Sequence, residues 1–242
     1  MVFILSIFAL FMAMKFNELD LSIGGYLLVD KPYNWTSFDV VGRVRWALRK
    51  KYGHKFKVGH AGTLDPLATG LLIICSGPFT KKIFEYQDME KEYTGVFTLG
   101  GFRPSFDKET DITETFPTNH ITDEMLQEAT KQFIGNIEQI PPAHSAIKVD
   151  GKRAYESARK GVEIEMKPRQ VVIKTMEVKR LDEVNVAFKV VCEKGTYIRS
   201  LARDFGTALG SAAYLDSLVR TRIGPYELKD AINVDDLIDE RL

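Results

Sequence analysis

Residues 59 to 77 read GHAGTLDPLATGLLIICSG. Leu71 to Cys75 form a short, continuous run rich in branched residues, the pattern of a buried strand. Gly59, Gly62, Pro66 and Gly70 mark the preceding segment as a loop, since they break a helix or strand laid across them. Asp65, the only carboxylate in the stretch, therefore falls in a stiff, glycine-shaped loop beside the core. Taken alone, an Asp-Pro pair caps a turn. The rest of the chain decides whether it does more.

Upstream, GYLLVDKP (25–32) reads as a strand stopped by Pro32. TSFDVVGRVRWALRKK (36–51) reads as a helix with Thr36 or Ser37 as N-cap. Its buried stripe is Val40, Val41, Val44 and Leu48, and Arg43, Arg49 and Lys50 lie opposite. Downstream, TKKIFEYQ (80–87) is helical and KEYTGVFTLG (91–100) is a strand with Tyr93 near its start. TDEMLQEATKQFIG (122–135) is a helix with acids in its first turn and Gly135 as its stop. VVIKTMEVKRL (171–181) and NVAFKVVC (185–192) are strands, and GTYIRSLARDFGTALG (195–210) turns into a helix. AAYLDSLVRTRIG (212–224) alternates as a strand. Ala213, Leu215, Val219 and Ile223 share one face, and Tyr214, Asp216, Leu218, Arg220 and Arg222 the other. These elements predict an α+β (mixed α/β) chain with a large, mostly antiparallel sheet flanked by helices. No internal repeat or low-complexity segment interrupts it.

QIPPAHSAIKVDGKRAYESARKG (139–161) differs from its surroundings. A Pro-Pro break and a Val-Asp-Gly hairpin signal precede five cations, Lys148, Lys152, Arg153, Arg159 and Lys160, grouped around Tyr155. It is expected to be an insertion that meets an anionic partner.

The chain has 242 residues, 45% of them hydrophobic, and a formal net charge of zero. That average hides a segregation. Arg43 to Lys57 holds seven Lys/Arg and no acid, whereas Pro225 to Leu242 holds six acids and two bases. The basic run is either a solvated face or an electrostatic grip. Cys75 and Cys192 form no C-x-x-C pair and lie in apolar runs, which fits reduced, buried thiols in the cytoplasm rather than a disulfide framework. His54, His60, His120 and His144 lack ligand spacing, so no metal site is expected. Val2 to Met14 is apolar or nearly so, but too short to span a bilayer, and no cation precedes it as in a secretory signal. Residues 1–13 are expected to be a leader outside the fold, with a functional chain over 14–242; a membrane-tethering helix is the alternative.

There is no G-x-x-x-x-G-K-[ST], G-x-S-x-G or H-E-x-x-H. Instead, residues 59–70 resemble the catalytic signature of the TruB family, the tRNA pseudouridine-55 synthases. LDPLATG within it is similar to the Leu-Asp-x-x-x-[Ser/Thr]-Gly pattern found more widely among pseudouridine synthases. LLVDKP (27–32), KEYTG (91–95), IPPAHSAIKVDGKRAYESARKG (140–161) and KGTYIRSLARDFGTALG (194–210) follow the family's order, so the resemblance covers nearly the whole chain.

The resemblance implies Asp65 as nucleophile, Tyr93 as the ring stacked on the target uracil and Arg199 as the partner of the catalytic carboxylate. It makes His60 the residue that props the flipped-out RNA, Tyr197 and Leu218 the pocket lining, and Lys31 the group that steadies the loop. RNA contacts are expected from Lys148, Lys152 and Arg153. The implied partner is the T stem-loop of tRNA, bound by a cytoplasmic monomer without cofactor, membrane or protein partner. The family's usual C-terminal RNA-binding module, of the PUA type, has no counterpart before Leu242, which bears on contacts to the acceptor end of tRNA.

The chemistry agrees with this assignment. Converting uridine to pseudouridine breaks an N-glycosidic bond and remakes it to carbon. That calls for a carboxylate, a flat platform and a dry pocket in which uracil can turn. No electron or hydride leaves, so no cofactor is needed. Extruding a stacked base costs a few kcal/mol, which basic and aromatic contacts offset. The rival of a different class is a non-catalytic RNA-binding or tRNA-folding protein on the same scaffold. It has no need of Asp65 together with Tyr93. A guide-RNA-dependent relative acting on ribosomal RNA is the other alternative.

Overall fold

The computed structural model describes residues 20–237 apart from 146, 150, 155, 157–161 and 163. The expected leader over 1–13 lies outside the described residues. In chain order the elements are β1 (Tyr26–Lys31), α1 (Ser37–Tyr52), β2 (Val58–His60), β3 (Ala68–Ser76), α2 (Ile83–Asp88) and β4 (Lys91–Leu99). Next come β5 (Gly101–Phe102), β6 (Glu114–Thr115), α3 (Asp123–Lys131), β7 (Gly135–Gln139), β8 (Lys148–Val149) and β9 (Lys152–Arg153). The last are β10 (Arg169–Arg180), β11 (Asn185–Cys192), α4 (Ile198–Ala208), β12 (Ala213–Ile223), β13 (Tyr226–Glu227) and β14 (Ile232–Asn233). They form two compact units. One runs to Lys91 and resumes at Val219; the other is Glu92–Leu218.

In the first unit β3 is the central strand. β1 pairs with it antiparallel from Tyr26↔Cys75 to Lys31↔Gly70, and β2 pairs with it antiparallel from Val58↔Ser76 to His60↔Ile74. β14 adds a short parallel pair on the far side of β1. Leu72 and Ile74 pack with the stripe Val40, Val41, Val44 and Leu48 of α1. Leu71, Ile73 and Cys75 pack on the other face with Tyr86 and Ile223. A strand covered on both faces has no reason to alternate, which is why LLIIC reads as an unbroken apolar run.

α1 begins where its capping chemistry requires. The Thr36 hydroxyl accepts from Asp39 N–H, and the Asp39 carboxylate accepts from Thr36 N–H at 2.7 Å, closing a capping box. Two boundaries differ from the sequence reading. Gly59 lies in β2 and Gly70 in β3, so the loop is only residues 61–67. Gly70 stays in the strand at φ 101° because a Cβ there would meet the Arg220 carbonyl oxygen at 2.4 Å. The segment before α2 is also tighter than expected, a 3₁₀ turn over Gly77–Lys82.

In the second unit β10 pairs antiparallel with β11 on one side and with β7 on the other. β4 flanks β11. The Phe97 ring stacks on Phe188 at 4.1 Å and lies 5.7 Å from Phe205 of α4. Gln127 of α3 donates to the Val178 carbonyl at 3.0 Å and ties that helix to β10. α3 stops at Lys131, four residues before the expected Gly135, which instead opens β7 at φ 99°. Around the Val-Asp-Gly signal β8 and β9 pair as a hairpin, with Lys148 opposite Arg153 and Val149 opposite Lys152 and Asp150 outside the described residues. Strand β12 is buried at Tyr214, Leu218 and Arg220 as well as at Ala213, Leu215 and Ile223, so both of its faces are covered.

The pairs β1–β3, β2–β3, β7–β10 and β10–β11 are antiparallel and β1–β14 is parallel, and four α-helices are present among the described residues, giving an α+β fold. Gly95 of β4 leaves no room for a side chain: a Cβ would sit 2.1 Å from the Ser217 carbonyl oxygen and 2.8 Å from the Phe188 ring. Gly95→Ala is expected to cost about 1–3 kcal/mol through overpacking. Urea unfolding of the variant beside wild type measures it.

Candidate active site

Asp65 is half-buried, and the backbone around it is tied down residue by residue. Ala61 N–H donates to Ile73 O at 2.8 Å. Leu64 is held through both of its polar groups: its N–H donates to Ser37 Oγ at 2.8 Å, and Ser37 Oγ donates to its carbonyl at 3.0 Å. Pro66 O accepts from Asn34 N–H at 2.9 Å and from Lys31 Nζ at 3.3 Å. Lys31 also donates to Pro32 O and Trp35 O, at 2.9 and 2.7 Å.

Arg220 completes the arrangement from β12. Only 1% exposed, it donates from Nε to Leu71 O at 2.7 Å, from Nη2 to Gly62 O at 3.1 Å and from Nη1 to Thr63 O at 3.5 Å. One planar guanidinium thus holds three carbonyls that bracket Asp65, which the rigid fork of arginine donors suits. The sequence placed Arg220 on the polar face of a strand and gave it no role. Burial is the signal that finds it.

Lys31 is fully buried. Burial pushes its ammonium down to about 8, the Asp65 charge draws it back up, and Arg220 lowers it further. His60 closes β2, its ring 6.2 Å from Phe38 in edge-on contact. Burial lowers its pKa first and Arg220 second, against a Gly62 backbone hydrogen bond that favours the charged form. The net effect favours the neutral imidazole.

The other expected site residues belong to the second unit. Tyr93 lies in β4, and Leu218, 8% exposed, in β12. Tyr197 is the N-cap residue of α4. The buried side chain of Gln139 accepts from Tyr197 N–H at 2.8 Å and donates to Tyr197 O at 3.1 Å, fixing where that ring leaves the backbone. The sequence set Gln139 at the start of a proline-broken insertion; it is the last residue of β7 and a positioning group. Arg199 is 4% exposed, with Nη1 3.5 Å from Asp107 Oδ2 and 3.4 Å from Ser105 O. Lys148, Lys152 and Arg153 stand on the β8–β9 hairpin, and their side chains lie outside what is described. Among the described residues no cluster of His, Cys, Asp and Glu could hold a metal ion, and no helix is long and apolar enough to cross a membrane.

Residues 49–198 match the family described as TruB family pseudouridylate synthase, N-terminal domain. A Flavobacterium johnsoniae protein named tRNA pseudouridine synthase B is 54% identical over 213 residues, 87% of this chain and 93% of that protein. One of the same name from Phocaeicola vulgatus is 53% identical over 223 residues, 92% of this chain and 93% of its own length. Among solved structures, a chain of a Cbf5–Nop10–Gar1 complex superposes with a TM-score of 0.69 at 29% identity; the match covers 92% of this chain and 56% of that one.

The buried lysine gives a pH signature. Lys31 loses its proton at about 8 in the folded protein and at 10.5 in its ordinary state, so between these values the unfolded chain binds more protons. Below about pH 8 the folded protein carries the whole cost of the depressed lysine; as pH rises toward 10.5 that cost disappears. Relative to Lys31→Met, wild-type stability is expected to rise across that window by on the order of 2–3 kcal/mol. Urea unfolding of both proteins at stepped pH checks it.

Proposed function

The chain belongs to the TruB family of pseudouridylate synthases, and on that premise we propose that it isomerises uridine to pseudouridine at position 55, in the T loop of tRNA, with Asp65 as nucleophile. The observation that carries the reading is the Asp65 loop itself. A lone carboxylate within the family's signature is half-buried, and its neighbours are anchored by Ser37, Lys31, Asn34 and Arg220. Anchoring the backbone on both sides of a reactive group holds it to the sub-ångström tolerance that catalysis needs.

The reaction balances without a co-reactant. The bond from C1′ to uracil N1 breaks, the detached uracil turns, and a bond from C1′ to C5 forms. C5 gives up one proton and N1 ends with one. Asp65 meets the electron-poor sugar carbon while the bond is broken. Lys31 contributes positive potential at the loop and feels the Asp65 charge directly. His60, its neutral form favoured and its ring edge-on to Phe38, suits the stacked interior of an RNA loop from which a base has been withdrawn.

In this reading Tyr93 supplies the platform for the uracil, and Tyr197, held by Gln139, lines the pocket with Leu218. Arg199 fixes carboxylate geometry through its forked donors. The β8–β9 hairpin with Lys148, Lys152 and Arg153 grips the T stem, and the protein works as a cytoplasmic monomer.

Asp65→Asn is expected to abolish turnover while T-arm RNA still binds, because the amide cannot act as nucleophile. Arg199→Lys keeps the charge, loses the fork and should drop the rate on the order of 10²-fold. Single-turnover formation of pseudouridine beside a binding titration tests both. Appreciable activity in Asp65→Asn would sink the mechanism.

Neutralising Lys148, Lys152 and Arg153 together should weaken T-arm binding and flatten its salt dependence by about one unit of slope per lost phosphate contact. Titrations at stepped salt would expose the hairpin as a bystander if the slope stayed where it was.

A further inference from the structure

The outer face of α1 carries a feature that neither the core nor the Asp65 chemistry uses. Asn34, Trp35, Phe38, Asp39, Gly42, Arg43 and Trp46 line an open groove along the first turns of the helix. Phe38 is 69% and Trp46 46% exposed, an unusual investment of aromatic surface in water. The Arg43 guanidinium lies 4.9 Å above the Trp46 ring and Lys50 Nζ 5.4 Å from it. Neither cation has a carboxylate partner among the described residues. The one acid in the lining, Asp39, is occupied by the Thr36 capping box.

Gly42 sits mid-helix, where glycine is a poor helix former, yet a Cβ there would meet nothing within 4 Å. Packing does not demand the glycine, and its bare backbone leaves the groove floor open. The groove also abuts the Asp65 loop, since Asn34 N–H bonds Pro66 O, Trp35 O accepts from Lys31, and Phe38 touches His60.

We propose that this groove binds an unpaired nucleotide of the RNA whose uridine reaches Asp65, its base stacked on Trp46 and Phe38 and its phosphate met by Arg43 and Lys50. Aromatic rings interleaved with unpaired cations are how proteins hold single-stranded nucleic acid without base readout. A run of seven Lys/Arg with no acid, Arg43 to Lys57, supplies the long-range attraction. The inference rests on the RNA-modifying reading above, and its test separates the two.

The protein has two tryptophans, Trp35 and Trp46, and both line the groove, so intrinsic tryptophan fluorescence reports on this place alone. A hexamer of adenosine, which contains no uridine to isomerise, should quench it saturably. Trp46→Ala should weaken binding of the hexamer on the order of tenfold, read from Trp35. Gly42→Leu fills the groove while improving the helix. Its melting temperature should rise by about 2–4 °C, while hexamer binding falls and the KM for T-arm RNA increases several-fold. No quenching by the hexamer, or wild-type affinity in Gly42→Leu, overturns the groove even if pseudouridine forms normally. If wild type forms no pseudouridine, the catalytic reading falls, and quenching lost in Gly42→Leu still supports the groove.

Discussion

A buried guanidinium bonded to carbonyl oxygens is the constraint on which the first unit's chemistry depends. The Asp65 loop has no ladder of its own between Ala61 and Leu67, and an unpaired backbone near the core is costly. Arg220 answers this with donors to Gly62, Thr63 and Leu71, while Ser37 satisfies both polar groups of Leu64. The loop is thus made rigid by side chains reaching in from β12 and α1. Regular structure would have fixed the backbone too, but it would have turned successive side chains along a ladder or a helix. A clamped loop instead fixes where one carboxylate leaves the backbone.

The clamp has an electrostatic cost. Arg220 and Lys31 are both buried; burial pushes Lys31 down, the Asp65 charge draws it back up, and Arg220 lowers it further. The negative charge of Asp65 relieves part of this. The loop is therefore a balance in which two cations need an anion beside them, and the sequence supplies a single carboxylate from residue 59 to 77. Removing Lys31 or Arg220 would change the loop's geometry and its charge balance together, so neither is a spectator, although neither has to touch the reacting atoms.

Much of this was legible in the sequence because it is local. The cap at Thr36, the stripe Val40, Val41, Val44 and Leu48, and the hairpin at Val-Asp-Gly depend on residues within a few positions of one another, and all three stand in the structure. The carboxylate and its glycine-shaped loop were visible as a motif. What could not be read depends on distant partners. Arg220 looks like any polar residue on an alternating strand until its carbonyl partners, about 150 positions away, are in place. Gly70 looks like a strand breaker until the Arg220 backbone is found against its α-carbon. Gln139 looks like the edge of a loop until its amide is seen gripping Tyr197. Composition reveals none of these, since each is an ordinary residue made special by long-range contact.

Helix α1 shows how one element can answer three demands at once. Its inner stripe closes the core of the first unit, and its first turn reaches the Asp65 loop through Ser37. Its outer face concentrates positive charge to a degree that stability alone would not select. Arg45 and Arg49 stand four residues apart on one side, a spacing at which like charges repel. Arg49, Lys50 and Lys51 recover something from the dipole of the last turn, but Arg43 and Arg45 lie too far from the C-terminus to do so. In a chain of zero net charge, cations gathered here are balanced by acids placed elsewhere, and the gathering itself costs free energy. Like-charge repulsion, exposed tryptophan and a mid-helix glycine all fall along one face of α1, and with the nucleotide proposed for its groove in place all three costs would become contacts.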